Sequence, residues 1–391
     1  MRAKARQRSN SLGKAGVAII MLAALGFALA LGHARPAAAQ AVRPPANAVT
    51  PAEMGQDPRD VDIGRYKETW GQVRRGVVGY VEIPDKREAV LVQATGQVWR
   101  GLHTGPVVRW SGYGLVAIVA VLVLYYLWFG TIKIEHGRSG RLIERFTALD
   151  RFAHWLAAST FIVLALTGLN MLFGRLLFLK APGEISIGAN FSGGQDFYAA
   201  LTHWGKIAHD YASWGFIVGL VLMFVLWVGE NLPTRDDLVW LAKAGGLFTR
   251  GLHLPARKIN AGQKMLFWGV IIFGASLAYS GLCLLFPFQI LPWSYTFKAL
   301  NLLGLGLPTD LLPVQEMQLT QLWHGIVAVC VIAALIAHTY IGTLGMEGAF
   351  EAMGTGMVDE NWARQHHLQW AEEVEREAAE GAKGGHAQPA E

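Results

Sequence analysis

The chain has 391 residues, of which 52% are hydrophobic and only 16% charged, with a formal net charge of +5. Soluble proteins carry about 25% charged residues, so the long apolar runs mark an integral membrane protein. The basic residues sit in loops, and no basic stretch is interleaved with aromatics, which argues against nucleic-acid binding. Cys283 and Cys330 both lie inside apolar runs. They form neither a C-x-x-C site nor the C-x-x-C-H attachment of a covalent haem. There is no G-x-G-x-x-G and no P-loop, so no nucleotide site is expected.

Residues 1–39 read as a secretory signal. Arg2, Lys4, Arg6, Arg8 and Lys14 form a basic front, Val17–Leu31 an apolar core, and Ala37-Ala38-Ala39 a small-residue cleavage site. Residues 40–110 read as a periplasmic region. Pro44, Pro45 and Pro51 predict an extended start, and β-branched runs at Val77–Ile83 and Ala89–Gln93 flank Pro84-Asp85-Lys86 as a hairpin. His103 reads as a solvated loop residue.

Residues 111–345 hold about five apolar stretches long enough to span a bilayer as helices. They are expected at Tyr113–Gly130, Phe152–Phe173, Tyr211–Val228, Met265–Phe286 and Trp323–Leu344, with tryptophans near their ends as interfacial anchors. Loops 131–151 and 229–264 carry most of the loop Lys and Arg, whereas the alternate loops hold only Arg175, Lys180, Lys206 and Lys298. The positive-inside rule makes the first pair cytoplasmic. An exported residue-40 end followed by five spans independently leaves the C-terminus cytoplasmic. Residues 346–391 read as a cytoplasmic tail that begins helical. Its Glu372–Glu380 stretch is expected to be a solvated face fraying into disorder, and His366-His367 lacks a nearby third metal ligand.

The fifth stretch, QLWHGIVAVCVIAALIAHTYIGTLG, contains His324 and His338, 14 positions apart. At about 100° and 1.5 Å per residue, the two imidazoles share a face to within roughly 40° and lie about 21 Å apart along the axis. Each has an alanine one turn inward, Ala328 and Ala334, leaving room for a flat group. A neutral imidazole is a good iron ligand, and ionisable residues inside a membrane are functional suspects. Depth then selects partners. His154, at the start of the second span, lies at the level of His338, and His209, leading into the third, at the level of His324. His203 is the rival of His209, while His136 and His253 fall in polar loops. The pattern predicts two non-covalent, bis-histidine b haems stacked across the bilayer. Arg151 and Lys206 are candidate partners of haem propionates. Gly168, Gly215, Gly219 and Gly325 could serve porphyrin approach or ordinary helix packing. The stretch KINAGQKMLFW offers amide and ammonium donors at the cytoplasmic interface, with Gly262 permitting close backbone approach. It reads either as a quinone site or as the start of a helix at a basic surface.

Taken in order, ERFTALDRFAHW, GKIAHDYASWGF, NAGQKMLFW, the His324–His338 helix and WARQHHLQW resemble the gamma subunit, the membrane cytochrome b, of respiratory formate dehydrogenase over about residues 145–370. The resemblance implies an all-α helical bundle in which four helices form the di-haem core. It implies His154, His338, His209 and His324 as haem b ligands, and Asn260, Gly262 and Gln263 beside a site for menaquinone or ubiquinone. It also implies partners: an iron–sulfur beta subunit and a molybdenum or tungsten alpha subunit that oxidises formate. Electrons would pass from the periplasmic haem to the cytoplasmic one and on to quinone, in the bacterial inner membrane. The signal, residues 40–110 and the first span extend beyond the short members of that family. A hydrogenase or thiosulfate reductase cytochrome b is the nearest rival, and NAGQK and WARQHHLQW favour formate. A haem-free anchor or a proton-relay transporter is the rival of another class. A relay would want carboxylates at depth, and none of the five expected spans has an interior Asp or Glu.

Overall fold

A computed structural model describes residues 94–178, 194–246, 249, 252 and 254–385. The expected signal, the hairpin around Pro84, Lys180 and His253 lie outside the described residues. The helical bundle belongs to the compact unit that contains residues 98–391; of the other unit, 29–97, only 94–97 are described, and they are helical.

Among the described residues, five helices are long and apolar enough to cross a membrane. The first, α1 (Val98–Phe129), contains a π turn at His103–Val107, where Pro106 supplies no backbone N–H. α2 is Ala148–Phe178, α3 Gly194–Trp227, α5 Ala261–Leu285 and α7 Pro313–Tyr340. Short helices α4 (Arg235–Ala242) and α6 (Trp293–Asn301) lie in the connections. The spans begin earlier than the apolar runs alone suggest, because helical geometry continues into polar flanks. α3 therefore carries both His203 and His209 within its length. α2 packs along α3, α5 along α7, and α3 meets α5, while α1 leans on α7.

Close packing of α2 on α3 rests on two glycines. A Cβ at Gly219 would lie 2.8 Å from the Ala157 backbone, and one at Gly215 would lie 2.7 Å from Thr160 Cγ2. The small-residue reading therefore holds at these two positions: they set helix approach. Gly325 has open space where a Cβ would be.

Three helices start from reciprocal polar boxes. Thr147 and Asp150 exchange hydrogen bonds before α2, Thr234 and Asp237 at α4, and Asn260 and Gln263 at α5. Each box satisfies amide donors that the first turn of a helix leaves open. Asp237 also binds Lys264 at 2.8 Å. Burial raises the Asp237 pKa, but the Lys264 ammonium and the Thr234 donors outweigh it and hold the carboxyl below its usual range.

The C-terminal segment is folded further than its composition suggests. β1 (Leu142–Glu144) pairs antiparallel with β2 (Met357–Asp359). The chain continues through α9 (Glu360–His366) into α10 (Leu368–Gly385), after the one-turn α8 (Glu351–Gly354). Ile134, Ile143, Phe146, Ile259, Val358, Trp362, Ala363 and Trp370 form one apolar core. That core ties loop 131–147, the approach to α5 and the tail into a cap on one end of the bundle. The expected solvated face, Glu372–Glu380, lies beyond Trp362 and Trp370, which give the preceding segment something to bury. Glu372, Glu373, Glu377 and Glu380 of that stretch do lie exposed.

No Asp or Glu falls within the five expected spans, but a buried carboxylate lies just before the fifth. The observed α7 begins at Pro313, so the long apolar helix does contain a buried carboxylate, Glu316, at 1% exposure. It accepts the Trp293 and Ser294 amides of α6 at 2.6 and 2.7 Å, together with the Ser294 hydroxyl. The carboxylate binds the N-terminus of α6, where the helix dipole favours negative charge.

Candidate functional site

Two histidine pairs face one another inside the bundle. At the capped end, His154 of α2 and His338 of α7 have ring centroids 6.3 Å apart, with planes at 62°. Toward the opposite end, His209 of α3 and His324 of α7 stand 6.4 Å apart at 64°. A metal bonds imidazole nitrogen at about 2.0–2.1 Å. Adding about 1.1 Å from nitrogen to ring centre on each side gives roughly 6.3 Å between the centroids of two imidazoles that would bind one metal from opposite sides. Both pairs are spaced as two imidazoles holding one metal ion would be. His203, the rival on α3, is exposed and sits edge-on to Trp204 instead.

The pair at His209 and His324 is also oriented. Thr167 Oγ1 of α2 donates to the Val163 carbonyl at 2.7 Å, so it meets His209 Nδ1, 2.8 Å away, as an acceptor. Ser280 Oγ of α5 likewise donates to the Ser276 carbonyl at 2.9 Å and meets His324 Nδ1 at 2.8 Å. Each ring therefore carries its proton on Nδ1 and keeps the Nε2 lone pair for a metal. The residue after each hydroxyl is glycine, and it lies against the imidazole edge. A Cβ at Gly168 would be 3.6 Å from His209 Cε1, and one at Gly281 3.5 Å from His324 Cε1. Thr167, Ser280 and Gly281 do not stand out in the sequence, because a Thr-Gly or Ser-Gly pair in an apolar helix is common; only the fold shows that each faces one of the paired histidines.

At the capped end, Arg151 lies one turn before His154 and donates to the Gly354 carbonyl at 3.0 Å, while its buried Nε lacks a partner. Trp155 Nε1 donates to the Met353 carbonyl at 2.9 Å, fixing α2 to the cap. Lys206 forms a 2.6 Å ion pair with Asp210, so a propionate there would have to share that lysine.

Asn260, Gly262 and Gln263 gather at the start of α5. Asn260 Oδ1 accepts the Gln263 amide at 2.9 Å, and Gln263 Oε1 accepts the Asn260 amide at 3.1 Å. The capping box thus consumes both oxygens and leaves both side-chain NH2 groups as donors. Gly262 has a packing reason of its own: a Cβ there would strike Trp240 Cη2 at 2.7 Å. A pocket lined by Asn260, Trp240, Asp237, Arg257 and Lys264 encloses about 10 Å³, roughly the room of one water.

Behind this segment lies a cluster that the sequence did not reveal. Arg145 is 4% exposed and His367 1%. Arg145 donates to the Lys258 carbonyl at 2.7 Å, to Gln263 Oε1 at 3.3 Å and to His367 Nε2 at 2.9 Å. His367 Nδ1 donates to the Arg257 carbonyl at 2.7 Å. Burial lowers the Arg145 pKa to about 9, still protonated at neutral pH. Burial and the neighbouring guanidinium hold His367 well below its ordinary value, hence neutral. His367 is thus a structural tie, and among the described residues no group of three or more His, Cys, Asp or Glu could hold a metal ion.

Residues 145–356, more than half of the chain, match the prokaryotic cytochrome b561 family. The chain is 27% identical over 241 residues to the cytochrome b556(Fdn) subunit of the nitrate-inducible formate dehydrogenase of Escherichia coli strain K12, covering 61% of this chain and 94% of that one. The cytochrome b556(fdo) subunit of formate dehydrogenase from the same strain is 27% identical over 234 residues, covering 60% and 94%. A formate dehydrogenase cytochrome b556 subunit of Haemophilus influenzae is 21% identical over 244 residues, covering 62% and 87%. The matched region contains all four facing histidines and the start of α5. With five membrane-length helices among the described residues and a family match over most of the bundle, the chain is a multi-pass membrane cytochrome of the prokaryotic cytochrome b561 family, and that family implies haem b.

Proposed function

We propose that this chain is the electron-carrying membrane subunit of a formate:quinone oxidoreductase, holding two b haems and a quinone site. The observation that carries this reading is the pair of imidazole couples, at 6.3 and 6.4 Å, set on a single helix α7 at two depths. The matched relatives are formate dehydrogenase subunits, which supports an iron–sulfur beta subunit and a molybdenum or tungsten alpha subunit as partners.

The bound haems would supply one-electron carriers at two levels of the membrane. His209 and His324 hold one at the periplasmic level, and His154 and His338 hold the other at the cytoplasmic level. This orientation places the cap, rich in Lys and Arg, in the cytoplasm. Thr167 and Ser280 fix the ring tautomers. Arg151, beside His154 with an unpartnered Nε, is placed to meet a propionate; Lys206 could do so by sharing Asp210. Asn260 and Gln263 present amide donors to the two carbonyl oxygens of a quinone at the capped end. Trp240 walls the small pocket there and must shift for a ring to enter. Residues 1–39 serve as an export signal, and the following segment lies in the periplasm.

The haem-to-polypeptide ratio of the purified complex tests the reading. Two b haems per chain are expected, and one per chain after His324→Ala. A haem-free preparation from cells competent in haem synthesis would overturn it.

A further inference from the structure

The two histidine couples are not equivalent in their surroundings. At His209/His324 both Nδ1 atoms are engaged by hydroxyls, Thr167 Oγ1 and Ser280 Oγ, each at 2.8 Å. Each hydroxyl already gives its own proton to a carbonyl one turn earlier, which makes its oxygen a better acceptor. At His154/His338 there is no counterpart. His154 Nδ1 is buried without a hydrogen-bond partner, and the His338 side chain makes no hydrogen bond among the described residues.

An imidazole whose Nδ1–H is held by an acceptor is a more basic ligand through Nε2. A more basic axial ligand favours the ferric over the ferrous state, and hydrogen bonding to the ligands is one of the means by which a protein tunes haem potential. Resting on the proposed di-haem function, we infer that Thr167 and Ser280 are positioning residues that lower the reduction potential of the haem at His209/His324 relative to the haem at His154/His338. The arrangement makes electron passage along α7 downhill from the His209/His324 couple, the outer one in the proposed orientation, to the inner couple at the capped end. The direction of transfer is then built into side chains of α2 and α5 that act through the imidazoles they bind.

The test is a redox titration, followed optically, of membranes containing the full complex. The variants are Thr167→Val, which keeps the shape, and Ser280→Ala. Thr167→Ser restores the hydroxyl and serves as the rescue, and His209→Ala identifies which midpoint belongs to the outer couple. Haem content is measured on every sample. Each hydroxyl loss is expected to raise the outer midpoint, favouring reduction by about threefold to tenfold, roughly 30 to 60 mV for a one-electron couple. The other midpoint and the haem content should stay fixed, and Thr167→Ser should return the outer midpoint toward the original. Unchanged midpoints with two haems present overturn the inference while leaving the haem reading intact. So does a shift confined to the inner midpoint. Absence of haem from the parent complex overturns both.

Discussion

His209 and His324 approach across the bundle from different helices, with ring centroids 6.4 Å apart, and each gives its Nδ1–H to a hydroxyl on a third and a fourth helix. Four helices thus converge on one couple. Removing either imidazole would leave the proposed haem one ligand short, with the second couple about 21 Å away along α7 untouched. His209→Ala or His324→Ala should abolish the low-spin signal of the outer haem alone, and His154→Ala or His338→Ala that of the inner one. Low-temperature electron paramagnetic resonance reads this directly. Two intact low-spin signals in each variant would show that these histidines are not the ligands.

Asn260 has two separable jobs. Its oxygen caps α5, and its amide NH2 is the proposed donor to quinone. Asn260→Asp keeps the capping oxygen and removes the NH2, whereas Asn260→Ala removes both. Loss of the cap costs about 1 kcal/mol. The Asp variant should keep the thermal stability of the parent and slow haem reoxidation by added quinone, without slowing haem reduction. Normal reoxidation in the Asp variant would assign the amide to capping alone.

The approach of α2 to α3 is set at Gly219. Any side chain there meets the Ala157 backbone, which cannot swing away as a flexible side chain could. Gly219→Val should destabilise the bundle by roughly 1–3 kcal/mol, as overpacked cores do. Because Ala157 is one turn from His154, the inner haem should be lost from this variant on heating before the outer one. Differential loss is read from the reduced spectrum after graded incubation.

The cap should respond to pH through His367. Its folded pKa lies well below its unfolded value near 6.5, so the unfolded chain binds a proton that the folded chain excludes. The stability tied to neutral His367 is therefore present above about pH 6.5 and is lost as pH falls below it. Limited proteolysis of the tail should speed up between about pH 7 and pH 5.5. His367→Gln, which can still accept from Arg145 and does not titrate, should flatten that dependence. An equal acceleration in both proteins would show that His367 is not the titrating group.

Much of this architecture is legible in the chain because membrane physics is restrictive. Apolar length locates the five spans, and the 14-residue spacing of His324 and His338 puts two histidines on one face before any fold is known. Distance from the bilayer surfaces selects His154 and His209 as their partners, and the structure sets those side chains opposite one another. What sequence alone does not show depends on long-range contact. Arg145 reads as one more loop cation until Trp362, Trp370 and His367 close over it. Thr167 and Ser280 read as ordinary small polar residues of apolar helices until an imidazole stands against each. Glu316 lies outside the apolar run, and its burial follows only from the docking of α6 onto α7.

Formate-driven haem reduction is tested most directly by an optical difference spectrum of membranes containing the complex, reduced with formate and compared with dithionite. A b-type band should develop with formate, at close to the dithionite amplitude. Hydrogen in a parallel sample should give none. A dithionite band that formate does not produce would refute the assignment to formate oxidation, and no b-type band with either reductant would refute the haem ligation itself.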